Sequence, residues 1–218
     1  MSNKVSFLEC TNPDCRFRFP LDLSIYEGKF CPRCGANLGT ITPQIDQWQP
    51  GWEPNFDVRL VGVLDNIRSA QNVGSIFRTS EAVNLHHLYL CGLTPTPASN
   101  IALIKSSLGS EERVAWSVHN NAVQAVNNLK SEGWQIIALE CHPQAQNLFS
   151  SQRSNIIPEK VALVVGNEPA GIDPGVLELA DQVLYIPMAG QKTSINVAVA
   201  YGVAVYGLIS SWSTLRSE

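Results

Sequence analysis

The chain lacks the motifs that most readily assign a nucleotide-binding or hydrolytic protein. No Gly-X-Gly-X-X-Gly follows an apolar strand-like run, which disfavours a dinucleotide crevice. No Gly-X-Ser-X-Gly turn occurs, so the nucleophile elbow of α/β-hydrolases is excluded. Gly190-Gln191-Lys192-Thr193 hints at a phosphate loop, but Gln191 stands where glycine must precede the lysine, and the earlier glycine is missing. The four histidines are scattered. His86 and His87 adjoin a strand edge, where histidine is more often a surface or core residue than a ligand. Positive charge is not in excess either: the net charge is -4, so any RNA contact must use local basic patches. The first residues, MSNKVSFLEC, hold no apolar signal core, and a cytoplasmic setting is expected. No membrane span is expected. The one long apolar run, Ile195 to Trp212, is broken by Asn196, serines, Gly202 and Gly207.

Cysteine is present but not as a disulfide framework. Cys10-TNPD-Cys15 and Cys31-PR-Cys34-Gly35 are two close pairs separated by a hairpin-sized insert, the spacing of a structural zinc ribbon. Some forty residues bury too little apolar surface to fold alone, and a closed tetrahedral site supplies the missing stability. A redox Cys-X-X-Cys requires a strand-then-helix context, whereas Gly35 follows here directly. Residues 1–40 are therefore expected to form a zinc-ribbon-like module holding one Zn2+ on Cys10, Cys15, Cys31 and Cys34. Arg16, Arg18, Lys29 and Arg33 make it basic, which fits either phosphate contact or a solvated surface. Residues 41–57, rich in Pro, Gly and Gln with Trp48 and Trp52, form a linker. Cys91 and Cys141 are isolated and expected to be buried free thiols.

From residue 58 to 218 strand and helix patterns alternate. Strands are predicted at Val58–Leu64, His87–Leu90, Val114–Ser117 and Gln135–Leu139, with helices over Asn72–Ala82 and Asn120–Glu132. A loop with Pro95 and Pro97 lies between the second and third strands. The last sixty residues organise the domain. Val161–Val165 is a strand buried on both faces, followed by a Gly-rich turn to Gly171. Asp173 and Pro174 cap a short helix through Leu179. Gln182–Ile186 is a further strand, and Ser194 is a plausible N-cap for a final helix so apolar that it should be buried on most sides. The fold class is thus α/β, a mainly parallel sheet with helices on both faces, plus the small zinc ribbon.

Polar residues left unexplained gather at strand ends: Asn66, Arg68, Asn72, Arg78, Asn167, Glu168, Ser194 and Asn196. Each alone fits a cap or a surface ion pair; together they suggest a polar site beside a Gly-lined ligand pocket. Their segments resemble three motifs of one family, in its order. Asn66-Ile67-Arg68-Ser69-Ala70-Gln71-Asn72-Val73-Gly74-Ser75-Ile76-Phe77-Arg78-Thr79 resembles the first motif of the TrmH-like branch of SPOUT RNA methyltransferases. Val165-Gly166-Asn167-Glu168-Pro169-Ala170-Gly171-Ile172 resembles the second. Ile186-Pro187-Met188-Ala189-Gly190, with Ser194-Ile195-Asn196-Val197-Ala198-Val199-Ala200, resembles the third.

That resemblance implies a deep C-terminal trefoil knot, S-adenosylmethionine held by backbone groups of the knot loops, a homodimer, and methyl transfer to a ribose 2′-hydroxyl of tRNA or rRNA. The cofactor positions it implies are Gly166, Ile186, Met188, Gly190 and Ile195, and the catalytic ones Asn72, Arg78, Glu168, Ser194 and Asn196. Lys105 is a weaker candidate for RNA contact. A ribose hydroxyl is a poor nucleophile while protonated, so the site must take its proton or stabilise the developing alkoxide. Arg78 either accepts that proton or clamps phosphate; a guanidinium barely deprotonates. Glu168 is expected to orient Arg78 or Asn72. Two alternatives remain at this stage: an RNA-binding protein without activity on the same fold, and transfer to a base nitrogen.

Overall fold

A computed structural model of the chain describes residues 5–43, 58–150 and 158–215. The chain divides into two compact units, Met1–Pro54 and Asn55–Glu218. Trp48 and Trp52, expected in the linker, lie outside the described residues.

The small unit is a three-stranded antiparallel sheet, with β1 (Val5–Cys10) between β2 (Arg18–Asp22) and β3 (Leu38–Pro43). Its third strand runs three residues past the expected module end at 40. Apolar burial is sparse: Leu8, Cys10 and Cys31 are its buried apolar side chains among the described residues, and Ile25, Tyr26 and Phe30 are exposed. So small a core is marginal by itself.

The large unit is built on a seven-stranded sheet whose strands are all parallel. In chain order the elements are β4 (Arg59–Asp65), α1 (Ala70–Ala82), β5 (His87–Cys91), α2 (Ile101–Ser107), β6 (Trp116–His119), α3 (Ala122–Ser131), β7 (Gln135–Leu139), β8 (Gln146–Asn147), β9 (Lys160–Val165), α4 (Pro174–Leu179), β10 (Gln182–Tyr185) and α5 (Val197–Leu215). In space the strands run β6-β5-β4-β9-β7-β10-β8. The central strands β4 and β9 face a core on each side. Leu60 and Leu64 of β4, with Val161, Leu163 and Val165 of β9, pack with α1 and α5 residues; Val61, Val63, Ala162 and Val164 pack with α3 and α4 residues. Burial on both faces is what the uninterrupted apolar runs demand.

Two local differences stand out. Helix α2 falls within the segment expected to be loop, because seven residues give too little periodicity to be seen; Asn100 caps it through Ala102 N–H at 3.0 Å and Leu103 N–H at 3.3 Å. It lies hard against α1, where any side chain on Gly74 would strike the Ser106 hydroxyl. The last helix is capped not by Ser194 but by Asn196, whose Oδ1 accepts from Ala198 N–H at 2.9 Å and Val199 N–H at 3.3 Å. That helix is buried on most sides, as expected: Tyr201, Ala204, Val205 and Leu208 are buried, while Val199 and Tyr206 are 55% and 47% exposed. Among the described residues no helix is long and apolar enough to cross a membrane.

Candidate active site

In this sheet β5 and β6 extend to one side of β4, while β9, β7 and β10 lie on the other. The chain reverses its direction of winding there, and the crevice beyond the carboxyl ends of such strands is where open α/β sheets hold ligands. The loops that follow β7, β9 and β10 line a cavity of about 770 Å³ at that place. Gly166, Ile186, Met188 and Ile195 all line it; Gly190, the fifth expected cofactor position, is not among its lining residues.

Gly166 has a direct steric reason. A side chain there would collide with the backbone of Gly171 and Ile172, because the loop closes on itself. Asn167 N–H donates to Gly171 O at 3.0 Å and Gly171 N–H returns the bond at 2.8 Å. The loop is also tied to the end of β4: Asn167 Nδ2 donates to Asn66 O at 2.6 Å, and Asp173 N–H donates to Asp65 Oδ2 at 2.8 Å. Burial raises the Asp65 carboxyl from its ordinary range, opposed by hydrogen bonds from Asp173 N–H and Asn66, while the Asp173 charge adds to the rise.

Three of the expected catalytic residues form one hydrogen-bonded chain. Glu168 Oε2 accepts from Arg68 N–H at 2.9 Å, and its Oε1 accepts from Ser69 N–H at 3.2 Å and Asn72 Nδ2 at 2.9 Å. Asn72 Oδ1 then accepts from Asn196 Nδ2 at 2.9 Å. Glu168 thus sits on the N-terminus of α1, and Asn196 on that of α5. A carboxylate at a helix N-terminus is favoured by the unpaired amides and the helix dipole. Burial pushes the Glu168 carboxyl up, but hydrogen bonds from Arg68 N–H, its own N–H, Asn72 and Ser69 N–H outweigh it, so it is held below the usual carboxylate range. Segments some hundred residues apart in sequence are fixed together by this chain.

Glu168 therefore orients Asn72, not Arg78. Arg78 is exposed on the outer face of α1 with Gln71 and Ser75, and it is not among the residues lining the cavity. Ser194 lines the cavity and is exposed. Lys105 is exposed on α2. Sequence reasoning did not single out Glu140, whose Oε1 and Oε2 accept from Cys141 N–H at 2.8 Å and Ile172 N–H at 3.0 Å inside the cavity. A glutamate one residue past a strand carries no periodic signal. Cys91 is a buried free thiol as expected, but Cys141 is exposed and lines the cavity, its Sγ 3.2 Å from Thr193 O. The cavity opens at the end of β7, which keeps this thiol out of the core.

In the small unit the sulfurs of Cys10, Cys15, Cys31 and Cys34 lie within 4.8 Å of one another, and none is in a disulfide. Cys10 and Cys34 sulfurs are 3.4 Å apart, Cys15 and Cys31 sulfurs 3.9 Å. Tetrahedral Zn–S bonds of about 2.3 Å place sulfurs roughly 3.8 Å apart, so the set suits that ion.

A parallel α/β sheet with a cavity at its switch point, framed by two helix N-termini, defines the class: a ligand-binding α/β domain of the kind that many enzymes use. The profile of the SpoU rRNA Methylase family matches residues 59–206, and the chain belongs to that family. It is 36% identical over 152 residues to the 23S rRNA (guanosine(2553)-2'-O)-methyltransferase RlmP of Bacillus subtilis (strain 168), across 69% of this chain and 58% of the relative. It is 33% identical over 147 residues to the tRNA (guanosine(18)-2'-O)-methyltransferase of Aquifex aeolicus (strain VF5), across 67% of each. Among solved structures, the A. aeolicus TrmH/SpoU tRNA modifying enzyme superposes with a TM-score of 0.62 at 30% identity, over 73% of this chain and 79% of that one. The chain thus spans little more than half of the first relative and two thirds of the second.

Proposed function

We propose that the protein is an S-adenosylmethionine-dependent methyltransferase acting on a ribose 2′-hydroxyl of tRNA or rRNA. The observation that carries this reading is the Glu168–Asn72–Asn196 chain at the rim of a cavity whose loop requires Gly166. Gly166, Ile186, Met188 and Ile195 would hold the cofactor, with Gly190 in the same loop as Met188. Once bound, S-adenosylmethionine supplies an electrophilic methyl group. The chain's own groups position the acceptor and meet the charge that develops on its oxygen. Arg78 clamps RNA phosphate and stabilises that charge through the planar fork of donors a guanidinium offers. Asn72 and Asn196 fix the two helix starts, and Ser194 contributes to the cavity wall. The C-terminal segment is threaded as a deep trefoil knot in this reading, which fits the insertion of β9 between β4 and β7. Binding assays test the reading: S-adenosylmethionine and its demethylated product bind, whereas NAD and ATP do not.

The working unit in this reading is a cytoplasmic homodimer. Arg78 lies on the outer face of α1, which packs against α2 and α5. Those helices expose Ile101, Ile104 and Leu108, and Val199 and Tyr206. Exposed apolar side chains on helices packed beside α1, with an arginine that forms no ion pair among the described residues, fit a second copy of the chain. Replacing both Val199 and Tyr206 with glutamate is expected to give a monomer by analytical ultracentrifugation and to lower methyl transfer at least about tenfold. A dimer with full activity would contradict the assignment of this face.

The small unit is a zinc ribbon in this reading, covering residues 1–40 and continuing into β3, followed by a linker to residue 57. Four thiolates close the coordination shell, so its role is structural. Metal analysis of the full chain should give about one zinc per chain. Chelation is expected to melt the small unit, read as lost amide dispersion for residues 5–43, while the large unit keeps its thermal transition. Purified chain free of zinc with its small unit intact would overturn this.

A further inference from the structure

We propose that Glu140 makes the cavity discriminate by charge, favouring a cationic sulfonium ligand over the neutral thioether it becomes on losing its methyl group. The inference rests on the S-adenosylmethionine reading and goes beyond it, because it names what separates the donor from its product. Among the described residues lining the cavity there is no lysine or arginine, and the carboxylates are Glu140 and Glu168. Glu168 is committed: the α1 N-terminal amides and Asn72 surround it. Glu140 has only two backbone donors, Cys141 N–H and Ile172 N–H, and no cationic partner among the described residues. A carboxylate offers about four acceptor positions, so this cavity-lining residue has acceptor capacity beyond its two backbone donors. It is half-buried, where a charge interacts more strongly than in water.

Donor and product share the adenosine and amino-acid parts and differ by a methyl group and one positive charge. Loop backbone and apolar walls treat the shared parts alike. A fixed negative charge in a cavity without lysine or arginine does not: it favours the sulfonium and lets the thioether product leave. A product that leaves readily keeps the site from being blocked after each turnover. Glu140 also holds Ile172 N–H and so braces the loop, and this bracing affects donor and product equally. The ratio of the two affinities therefore isolates the charge effect from the structural one.

The test is calorimetric titration of the full, zinc-loaded chain with S-adenosylmethionine and separately with S-adenosylhomocysteine. The wild type is compared with Glu140→Gln and Glu140→Ser as neutral variants and Glu140→Asp as the charged control. The wild type is expected to prefer the sulfonium ligand. Either neutral variant should lose about tenfold of that preference, and Glu140→Asp should keep most of it. Raising the salt should narrow the wild-type preference in the same direction. Melting curves identify a variant that has not folded, in which case the other neutral variant carries the result. An unchanged ratio in a folded neutral variant, even with both ligands weakened, would reduce Glu140 to a loop brace and overturn the proposal. Failure of the wild type to bind either ligand would instead remove the cofactor reading, and this proposal with it.

Discussion

Arg78→Ala lowers single-turnover methylation of RNA by roughly a hundred- to a thousandfold and leaves S-adenosylmethionine affinity within about twofold of wild type. Two observations set this expectation. Arg78 is absent from the cavity lining, so the cofactor does not depend on it. It is also exposed on α1, six residues after Asn72, which Glu168 anchors at the helix start. Its charge forms no ion pair among the described residues, which leaves it available in this reading for phosphate and for the developing alkoxide. Arg78→Lys should keep part of the rate, since lysine retains the charge but not the planar fork of donors. If the arginine instead accepted the acceptor's proton, lysine would need a depressed pKa to replace it and the pH–rate profile would move. Rates measured at several pH values, with cofactor affinity in parallel, separate these cases. Near-wild-type turnover by Arg78→Ala would end the assignment.

Gly166→Val abolishes cofactor binding, with a loss of at least about a hundredfold, while β9 and the core around it stay folded. The argument is steric. A Cβ at Gly166 falls on the backbone carbonyl carbon of Gly171 and the amide of Ile172. Those atoms cannot move while the paired bonds between Asn167 and Gly171 hold, at 3.0 and 2.8 Å. Any side chain must therefore open the loop that forms one wall of the cavity, and a β-branched one opens it furthest. The preceding strand is largely spared, because Leu163 and Val165 of β9 are buried in a core cluster with α1 and α5 residues, and Val164 packs with α3 and α4 residues as well as with Ile172 of the loop. Calorimetry for ligand binding and thermal melting for the fold check the two halves of the prediction. Retained binding by Gly166→Val would show that the loop is not the cofactor wall.

Much of this was legible in the sequence because it is local. The apolar run at Val161–Val165 and the Asp173-Pro174 pair located β9 and the start of α4 closely, since burial on both faces and an N-cap followed by proline leave few alternatives. The candidate site residues were legible as strand-end polar groups, but their wiring was not. That Glu168 holds Asn72 rather than Arg78, and that Asn72 passes the contact to Asn196, depends on loops separated by 96 and 124 residues meeting in space. Composition could not reveal Glu140 for the same reason: its partner, Ile172 N–H, lies 32 residues away. The expectation of burial on most sides of α5 held, but its exposed positions were not legible, for a different reason. An apolar face is legible as apolar, but hydropathy does not tell a position packed on its own core from one that stays exposed, as at Val199 and Tyr206.

The central claim is transfer of a methyl group to a ribose 2′-hydroxyl, and one measurement tests it most directly. The full chain is incubated with methyl-labelled S-adenosylmethionine and RNA from cells lacking the gene, and the RNA is digested to nucleosides and separated. The account predicts label in a 2′-O-methylated nucleoside, and none when the acceptor nucleotide carries a 2′-deoxyribose. Label recovered on a base, or equal labelling of the 2′-deoxy acceptor, would contradict it.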